Sequence, residues 1–311
     1  MQKNLVHVEF VMFSLSLLSL IYSYANGFHH SSPVTNFSRI PSKKPLSRRL
    51  FASREIASFD AEDFAMPSGS WPYEAKDFNR LDNTDDAIFY AEPRFVTHVD
   101  DRAIESLTSY YRDEFKAKSC DSLDVLDLCS SWISHFPKDI PLSRVVGVGM
   151  VSKELKANEA LTEYYCQDLN KNPELDQFED ESFDIVCNAV SVDYLTDPLK
   201  VFQETFRVLK TDGIALISFS NRMFATKAIA MWLQADDIDR LSIVASYFHY
   251  SAKWKSITAL DVGLPPLEMP DRPTVKEIFS NPTSAFSWAT TAGAVSRANN
   301  GDPMFVVKAI K

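Results

Sequence analysis

The sequence predicts an α/β fold with a doubly wound, mostly parallel sheet of seven strands. Strand-like and helix-like segments alternate between residues 124 and 221, which is typical of parallel strands joined by crossover helices. The run Phe183–Val192 (FDIVCNAVSV) is apolar almost throughout, as a strand buried on both faces requires. Two more strand-like segments, KSITALDV and PMFVVKAIK, complete the set toward the C terminus.

The first 54 residues differ in composition from the rest of the chain. Residues Phe10–Tyr22 are apolar or small, a run too short for a membrane span but suited to a signal peptide over residues 1–27. Residues 28–54 contain six basic residues, six serines and no acid, which is the composition of a transit peptide. Together they resemble the two-part presequence of proteins sent to plastids of secondary origin. The alternative is a signal anchor in the secretory pathway followed by a basic linker.

The net charge disfavours nucleic acid as a partner. The whole chain has a formal charge of −10. The presequence carries seven basic residues and one acid, so its removal leaves −16. A chain this acidic repels phosphate backbones. No membrane span is predicted after the presequence, whereas a protein partner stays possible.

The elements follow in order along the remaining chain. Residues 55–88 are acidic and turn-rich and indicate a linker or a loosely docked arm. Within residues 89–115, Asp100 or Asp101 can cap a lead-in helix. The predicted strands are Asp124–Ser130, Arg144–Met150, Glu163–Leu169, Phe183–Val192 and Gly213–Asn221, and the predicted helices are Ser152–Leu161, Asp197–Lys210, Ala225–Ala235 and Asp236–Tyr250. A turn is expected at Thr211–Gly213, and a long proline-rich connection spans Pro265–Pro303.

Several polar and small residues lie at the predicted carboxyl ends of neighbouring strands. In open α/β sheets, ligands bind beyond these ends, at the point where the strand order reverses. The residues expected to converge there are Asp127, Cys129, Ser130, Ser131, Gly149, Met150, Gln167, Asp168, Leu169, Asn188 and Ala189.

These residues also carry a family resemblance. With Asp127 at the end of the first parallel strand and Asp168 at the end of the third, the block FDIVCNAVSVDYLTDPLKVFQETFRVLKTDGIALISF resembles class I S-adenosylmethionine-dependent methyltransferases of the type 11 kind. It is similar, more narrowly, to a cyanobacterial and plastid branch with a DLxSSWxSHxP segment. The resemblance covers residues 89–311 and implies a Rossmann-like methyltransferase domain there.

The resemblance implies a role for each of these positions. Asp127 would hold the amino group of the methionine moiety, and Asp168 would accept a hydrogen bond from the adenine amino group beside the Leu169 amide. Asn188 and Ala189 would line the methionine end. Each aspartate also has a purely structural interpretation, as the cap of a turn.

The chain departs from the family pattern at two places. The usual glycine-rich loop is replaced by Cys129–Ile133, whose residues do not readily adopt positive φ, so the turn is expected to differ. Gly149 stands where an acid normally holds the ribose diol. Glu154 either reaches back to replace that acid or is a solvated acid in the first turn of a helix. Trp132 either packs over the site or belongs to the core, and the core is favoured.

His135 is the first choice for a general base, because it directly follows the cofactor loop. His98, Asp193 and Tyr194 are further candidates. Arg94 could reach the cofactor carboxylate from the lead-in arm, and Asn221-Arg222 could contact the acceptor. The alternative for both is a structural ion pair or cap.

The apolar stretch Phe224–Phe248 suggests a small or lipophilic acceptor, although ordinary helix packing explains most of it. The four cysteines form no CxxC pair, so buried thiols are expected and no metal site is predicted.

The sequence therefore predicts S-adenosylmethionine-dependent methyl transfer to a small plastid acceptor. The alternative is a non-catalytic binding or assembly protein that keeps the fold, which the lost glycines and the lost acid favour. A nicotinamide oxidoreductase fits poorly, because the chain has no GxGxxG.

Overall fold

A computed structural model describes residues 53–60, 71–118, 122–274, 277, 280–281 and 283–311. The predicted presequence lies outside this range except for its last two residues. Within the described residues, one eight-stranded sheet lies between two layers of helices. Its strands are β1 Arg54–Asp60, β2 Leu123–Leu128, β3 Leu142–Gly149, β4 Glu163–Cys166, β5 Phe183–Ala189, β6 Leu209–Phe219, β7 Ser256–Asp261 and β8 Phe305–Ile310.

The strand order is β1-β7-β8-β6-β5-β2-β3-β4. The five strands from β6 to β4 are parallel, whereas β8, β7 and β1 add antiparallel pairs at the other edge. The predicted doubly wound α/β fold is confirmed, but the count of seven strands is wrong. The eighth strand, β1, comes from the segment expected to be a linker or arm. Strand β1 pairs with β7 through backbone hydrogen bonds at the edge of the sheet. Its side chains therefore show no strong pattern from which a strand could be predicted.

Seven α-helices cover the sheet in the described part of the chain. They are α1 Asp86–Phe89, α2 Asp101–Ala117, α3 Ser152–Ala157, α4 Pro198–Val208, α5 Ala230–Gln234, α6 Asp237–Ser251 and α7 Thr283–Asn299, with 3-10 helices at Ala75–Phe78 and Val192–Tyr194. Helix α2 is the predicted lead-in helix, and Asp100 is its cap, accepting a hydrogen bond of 2.8 Å from the Ala103 amide. Pro198 occupies the first turn of α4, as predicted.

Two loop predictions are wrong. The connection Pro265–Pro303 contains helix α7, whose Ser, Thr, Ala and Gly residues give only a weak apolar stripe. The turn expected at Thr211–Gly213 is instead an irregularity within β6, where Asp212 adopts φ 63°.

Strand β5 lies at the centre of the core. Val186 packs into the cluster formed with α4 and α6, and Ile185 and Cys187 pack into the cluster formed with α2 on the opposite face. Burial on both faces accounts for the continuous apolar run that predicted this strand. Of the cysteines, Cys187 is buried as predicted, whereas Cys166 is exposed.

The strand order places a potential ligand site at one edge of the sheet. Strand β2 pairs with β3 on one side and with β5 on the other, so the winding direction reverses between β2 and β5. The carboxyl ends of β2, β3, β4 and β5 therefore open onto one crevice.

Candidate active site

A cavity of about 320 Å³ occupies this crevice. Ten of the eleven predicted cofactor residues line it, namely Asp127, Cys129, Ser130, Ser131, Gly149, Met150, Gln167, Asp168, Leu169 and Ala189. Asn188 is buried in β5 and does not line the cavity, and its Oδ1 has no hydrogen-bond partner among the described residues. The cavity volume lies within the range of small-molecule sites.

The turn after β2 adopts a left-handed conformation without glycine. Cys129 has φ 57°, and the Ser130 amide donates a hydrogen bond of 2.8 Å to the Val148 carbonyl. Cys129 therefore adopts a positive φ that its residue type disfavours. A non-glycine residue at positive φ costs on the order of 1–3 kcal/mol, and the surrounding hydrogen bonds hold it in place. Val190 after β5 also lines the cavity, with φ 51°.

Gly149 is required by the close approach of this turn. A Cβ atom on Gly149 would lie 2.1 Å from the Ser130 carbonyl oxygen. Any side chain at this position would collide with backbone. The turn after β2 therefore occupies the space that a side chain at position 149 would need.

Glu154 ties this turn to the segment before α2. It is buried, its Oε2 accepts a hydrogen bond of 2.5 Å from Ser131 Oγ, and its Oε1 accepts one of 2.6 Å from the Arg94 amide. The prediction of a solvated first-turn acid is therefore wrong. Both carboxylate oxygens bond to protein donors, so Glu154 fixes the loop as it lines the cavity.

Asp127 presents a buried carboxyl group to the cavity. Its Oδ2 accepts hydrogen bonds from Ser130 Oγ at 2.6 Å and Ser134 Oγ at 2.7 Å. Ser134 in turn accepts one of 2.8 Å from Asn158 Nδ2. Burial raises the pKa of Asp127 to about 6 against the lowering effect of the two serines, and no cationic side chain of the described residues offsets it. A cationic group of a ligand would fill this role.

The loop after β4 is also preformed. Asp168 Oδ1 accepts a hydrogen bond of 3.0 Å from the Asn170 amide, so the predicted turn cap is present, and the residue lines the cavity as well. Gln167 Nε2 donates to the carbonyls of Asn172 at 2.8 Å and Glu174 at 2.6 Å. Gln167 therefore holds the loop together through its side chain.

A buried charge cluster docks the segment before α2, which the sequence indicated only as an acidic linker or arm. Lys227 is fully buried and lies 3.1 Å from both Asp82 and Asp86, and Arg80 binds Asp86 at 2.7 Å. Burial alone would raise the pKa of Asp86, but hydrogen bonds from Arg80, Asn170 and Lys227 outweigh it and the pKa is lowered. These contacts place residues 86–99 along one wall of the cavity. Lys227 lies far along the chain from Asp82 and Asp86, and no local sequence pattern predicts ion pairs between such distant residues.

Arg94 belongs to this wall. Its guanidinium carbon lies 4.2 Å from the centre of the Phe89 ring and 4.8 Å from that of Phe224, and Nη2 donates to the Phe89 carbonyl at 3.0 Å. Its Nη1 is buried without a hydrogen-bond partner in the described part of the chain. Arg94 therefore offers one unused donor to an anionic group in the cavity.

The predicted general bases differ in position and in basicity. His135 lines the cavity with φ 58°, and burial, with a smaller contribution from His98, lowers its pKa to about 4. It is neutral near pH 7 but weakly basic. Burial raises the pKa of Asp193 to about 7, which suits a base better, yet Asp193 lies behind the cavity wall. Tyr194 lines the cavity and accepts a hydrogen bond of 2.8 Å from the Phe224 amide.

The remaining predictions concern the mouth of the cavity. Trp132, favoured as a core residue, lines the cavity instead. Asn221 does not line it. Arg222 does, but its Nε donates to Asp302 Oδ1 at 2.6 Å, as the ion-pair interpretation predicted.

The predicted acceptor region is mostly core. In the stretch Phe224–Phe248, Trp232, Leu241, Val244 and Tyr247 are buried against the sheet, and only Phe224 lines the cavity. Helix packing therefore accounts for the apolar character of this stretch.

Two searches of the described residues bear on the function. No helix there is both long and apolar enough to cross a membrane. In the same ranges, no group of three or more His, Cys, Asp or Glu side chains is arranged to hold a metal ion.

Part of the chain is similar in sequence to known methyltransferases. Residues 131–217 match the family described as "Methyltransferase domain". A curated relative, the malonyl-[acyl-carrier protein] O-methyltransferase of Marinomonas sp. (strain MWYL1), is 26% identical over 142 residues, which are 46% of this chain and 49% of the relative. The chain thus matches about half the length of that relative.

Solved methyltransferase structures also align with the chain. An S-adenosylmethionine-dependent methyltransferase from Mesorhizobium loti aligns with a TM-score of 0.36 and 16% identity, covering 64% of this chain and 96% of that one. Phosphoethanolamine N-methyltransferase 2 of Haemonchus contortus, in complex with S-adenosyl-L-methionine, aligns with a TM-score of 0.38 and 15% identity, covering 65% and 52%.

Proposed function

We propose that this chain is a class I S-adenosylmethionine-dependent methyltransferase, which binds its cofactor in the cavity at the β2–β5 edge and methylates a small molecule in a plastid. The observation that carries the proposal is the buried Asp127 carboxyl, which faces the cavity without a cationic partner among the described residues. The cofactor has an ammonium group to supply that charge and a carboxylate to meet the unused donor of Arg94.

The donor set fits the cofactor. Asp127 would hold the ammonium group and Arg94 the carboxylate. Asp168 and the Leu169 amide would hold the adenine, and Ala189 would line the methionine end. When bound, the cofactor supplies an electrophilic methyl group on sulfur. Glu154 would keep its hydrogen bonds to Ser131 and the Arg94 amide, and so would join the turn after β2 to the wall of the cavity.

The chain's own contribution is mainly alignment and exclusion of water. The docked wall 86–99 covers one side of the cavity, and a displacement reaction gains much of its acceleration from holding the reacting atoms in line. His135 is placed to accept a proton from the acceptor, but its low pKa makes it a weak base. We therefore assign His135 a role only with acceptors that readily lose a proton.

The proposed acceptor and the proposed plastid location are supported by observations other than the geometry around Asp127. The O-methyltransferase name of the curated relative supports methyl transfer, and a cavity of about 320 Å³ that must also hold the cofactor leaves room for only a small acceptor group. The two-part presequence composition of residues 1–54 supports a plastid location.

The test is a transfer assay. The full chain is incubated with S-adenosylmethionine carrying a radiolabelled methyl group and an organic extract of plastids, with Asp127→Ala as the control variant. We expect label in at least one extracted small molecule with the unmodified chain and none with the variant. Absence of transfer by a folded chain that binds the cofactor would contradict the proposed activity.

A further inference from the structure

Three aromatic and apolar side chains form a rim at the mouth of the cavity: Phe95, Val96 and Trp132. Phe95 is 51% exposed and Val96 is 53% exposed. Val96 and Trp132 line the cavity, and the rings of Phe95 and Trp132 meet edge to face with their centres 6.3 Å apart. The rim is therefore continuous with the interior of the cavity.

The rim is held in place by the cofactor loop. Trp132 Nε1 donates a hydrogen bond of 3.1 Å to the Val96 carbonyl, and the preceding Arg94 amide donates to Glu154 at 2.6 Å. The first contact joins the segment before α2 to the turn after β2, and the second joins it to α3. The exposed side chains thus stand on a backbone that is fixed from two sides.

The wall that leads inward from the rim includes Arg94, whose guanidinium packs against the rings of Phe89 and Phe224 and whose Nη1, unpaired among the described residues, would bind the carboxylate of the cofactor. It continues through Met223 and Phe224, and the His98 ring packs against Phe224 at 5.3 Å between ring centres. Burial lowers the pKa of His98, so this ring is neutral near pH 7. The nearby cation Arg222 is neutralised by Asp302. This surface favours an apolar or aromatic ligand over a charged one.

We propose that the rim of Phe95, Val96 and Trp132 binds the apolar end of an amphipathic acceptor whose reactive polar end lies inside the cavity. This inference rests on the proposed function and specifies its acceptor as a molecule with a hydrocarbon or aromatic tail. Single exposed apolar residues are common on protein surfaces. The rim differs from them because Val96 and Trp132 line the cavity and Phe95, which lies outside the lining, packs edge to face on Trp132.

Two exposed apolar residues that precede the rim in the chain serve as matched controls. Leu81 is 76% exposed and Ile88 is 70% exposed, but neither lines the cavity. An apolar probe that binds nonspecifically to exposed apolar residues would lose as much affinity when Leu81 and Ile88 are replaced as when the rim residues are replaced.

The experiment measures chain-length dependence. Equilibrium dialysis of the full chain, saturated with S-adenosylhomocysteine, is carried out with para-hydroxybenzoate n-alkyl esters from methyl to octyl. A methylene removed from water strengthens binding by up to about fourfold. We expect affinity to rise about two- to fourfold per added methylene until the rim is covered.

The variants decide the assignment. The double variant Phe95→Ser, Val96→Ser should flatten the series and keep its affinity for S-adenosylhomocysteine, whereas Leu81→Ser, Ile88→Ser should leave the series unchanged. A flat series in the unmodified chain, or equal slopes in the two double variants, would overturn the rim assignment. Failure of S-adenosylhomocysteine itself to bind would instead overturn the proposed function.

Discussion

Glu154 accepts a hydrogen bond of 2.5 Å from Ser131, so a buried carboxylate on α3 fixes the turn that follows β2. The same carboxylate accepts the Arg94 amide at 2.6 Å and so holds the wall of the cavity against that turn. Gly149 leaves the space that the turn fills. These three features form one interlocked arrangement around the turn that follows β2.

Removal of the Glu154 carboxylate should loosen both segments. Glu154→Ala deletes two hydrogen bonds to a charged acceptor, each worth about 1.5–3 kcal/mol, and we expect the free energy of unfolding to fall by about 3 kcal/mol. Affinity for S-adenosylhomocysteine should fall at least tenfold. Glu154→Gln should lose less, because its amide oxygen still accepts from the Arg94 amide and the Ser131 hydroxyl can rotate. Urea unfolding and calorimetric titration measure the two effects.

Glu159→Ala is the matched control for Glu154, since the Glu159 side chain is 90% exposed. Its loss should change stability by no more than about 0.5 kcal/mol. Equal effects at the two positions would show that Glu154 does not fix the turn after β2 or the wall of the cavity.

Gly149 should not tolerate even a methyl group. Gly149→Ala places a Cβ against the Ser130 carbonyl, and the turn must move, at an expected cost of about 3 kcal/mol in stability together with loss of cofactor affinity. Gly147→Ala is the comparison, because its Cβ would meet the flexible end of Leu161 at 2.5 Å. We expect the smaller effect there, as judged by urea unfolding. The reverse order would show that the turn is free to move away from β3.

Arg94 should recognise the carboxylate of the cofactor in particular. Arg94→Met keeps the hydrocarbon stem but removes the donors, and should weaken S-adenosylhomocysteine about 10- to 100-fold. It should leave 5′-methylthioadenosine unaffected, because that compound lacks the amino acid carboxylate. Arg222→Met should change neither affinity. Equal losses for both ligands in the Arg94 variant would indicate a positioning effect on the wall instead.

Asp127 should make cofactor binding depend on pH. Its pKa of about 6 means that the carboxyl is ionised above pH 6 and must lose a proton on binding an ammonium group below it. Affinity for S-adenosylhomocysteine should therefore be nearly constant between about pH 6.5 and 7.5, where the ligand keeps its ammonium proton, and fall by up to about tenfold per pH unit below pH 6. Asp127→Asn should bind weakly with no such slope. A pH-independent affinity in the unmodified chain would exclude Asp127 from the ammonium site.

Much of the fold was predictable because its signals are local. The apolar run of β5, the Asp100 cap of α2 and the Pro198 start of α4 each follow from a few neighbouring residues. The convergence of polar residues at one sheet edge then follows from parallel strands. Helix α7 was missed because residues 283–299 have only a weak apolar stripe, and β1 because an edge strand is held mainly by its backbone.

The site was predictable only where it lies on the strand ends. The arm carrying Asp86 depends on Lys227, far along the chain, and the coupling of Gly149 to the Ser130 carbonyl depends on the path of the backbone. The left-handed conformation of Cys129 likewise comes from tertiary hydrogen bonds and not from residue type. Contacts between distant residues leave no periodic pattern in a single sequence.

Calorimetric titration of the full chain with S-adenosylhomocysteine, with Asp127→Ala alongside, tests the central claim most directly. The account predicts binding with a dissociation constant on the order of micromolar, about −8 kcal/mol, and its loss in the variant. No binding by an unmodified chain that is shown to be folded would contradict it, and would favour a non-catalytic binding or assembly protein.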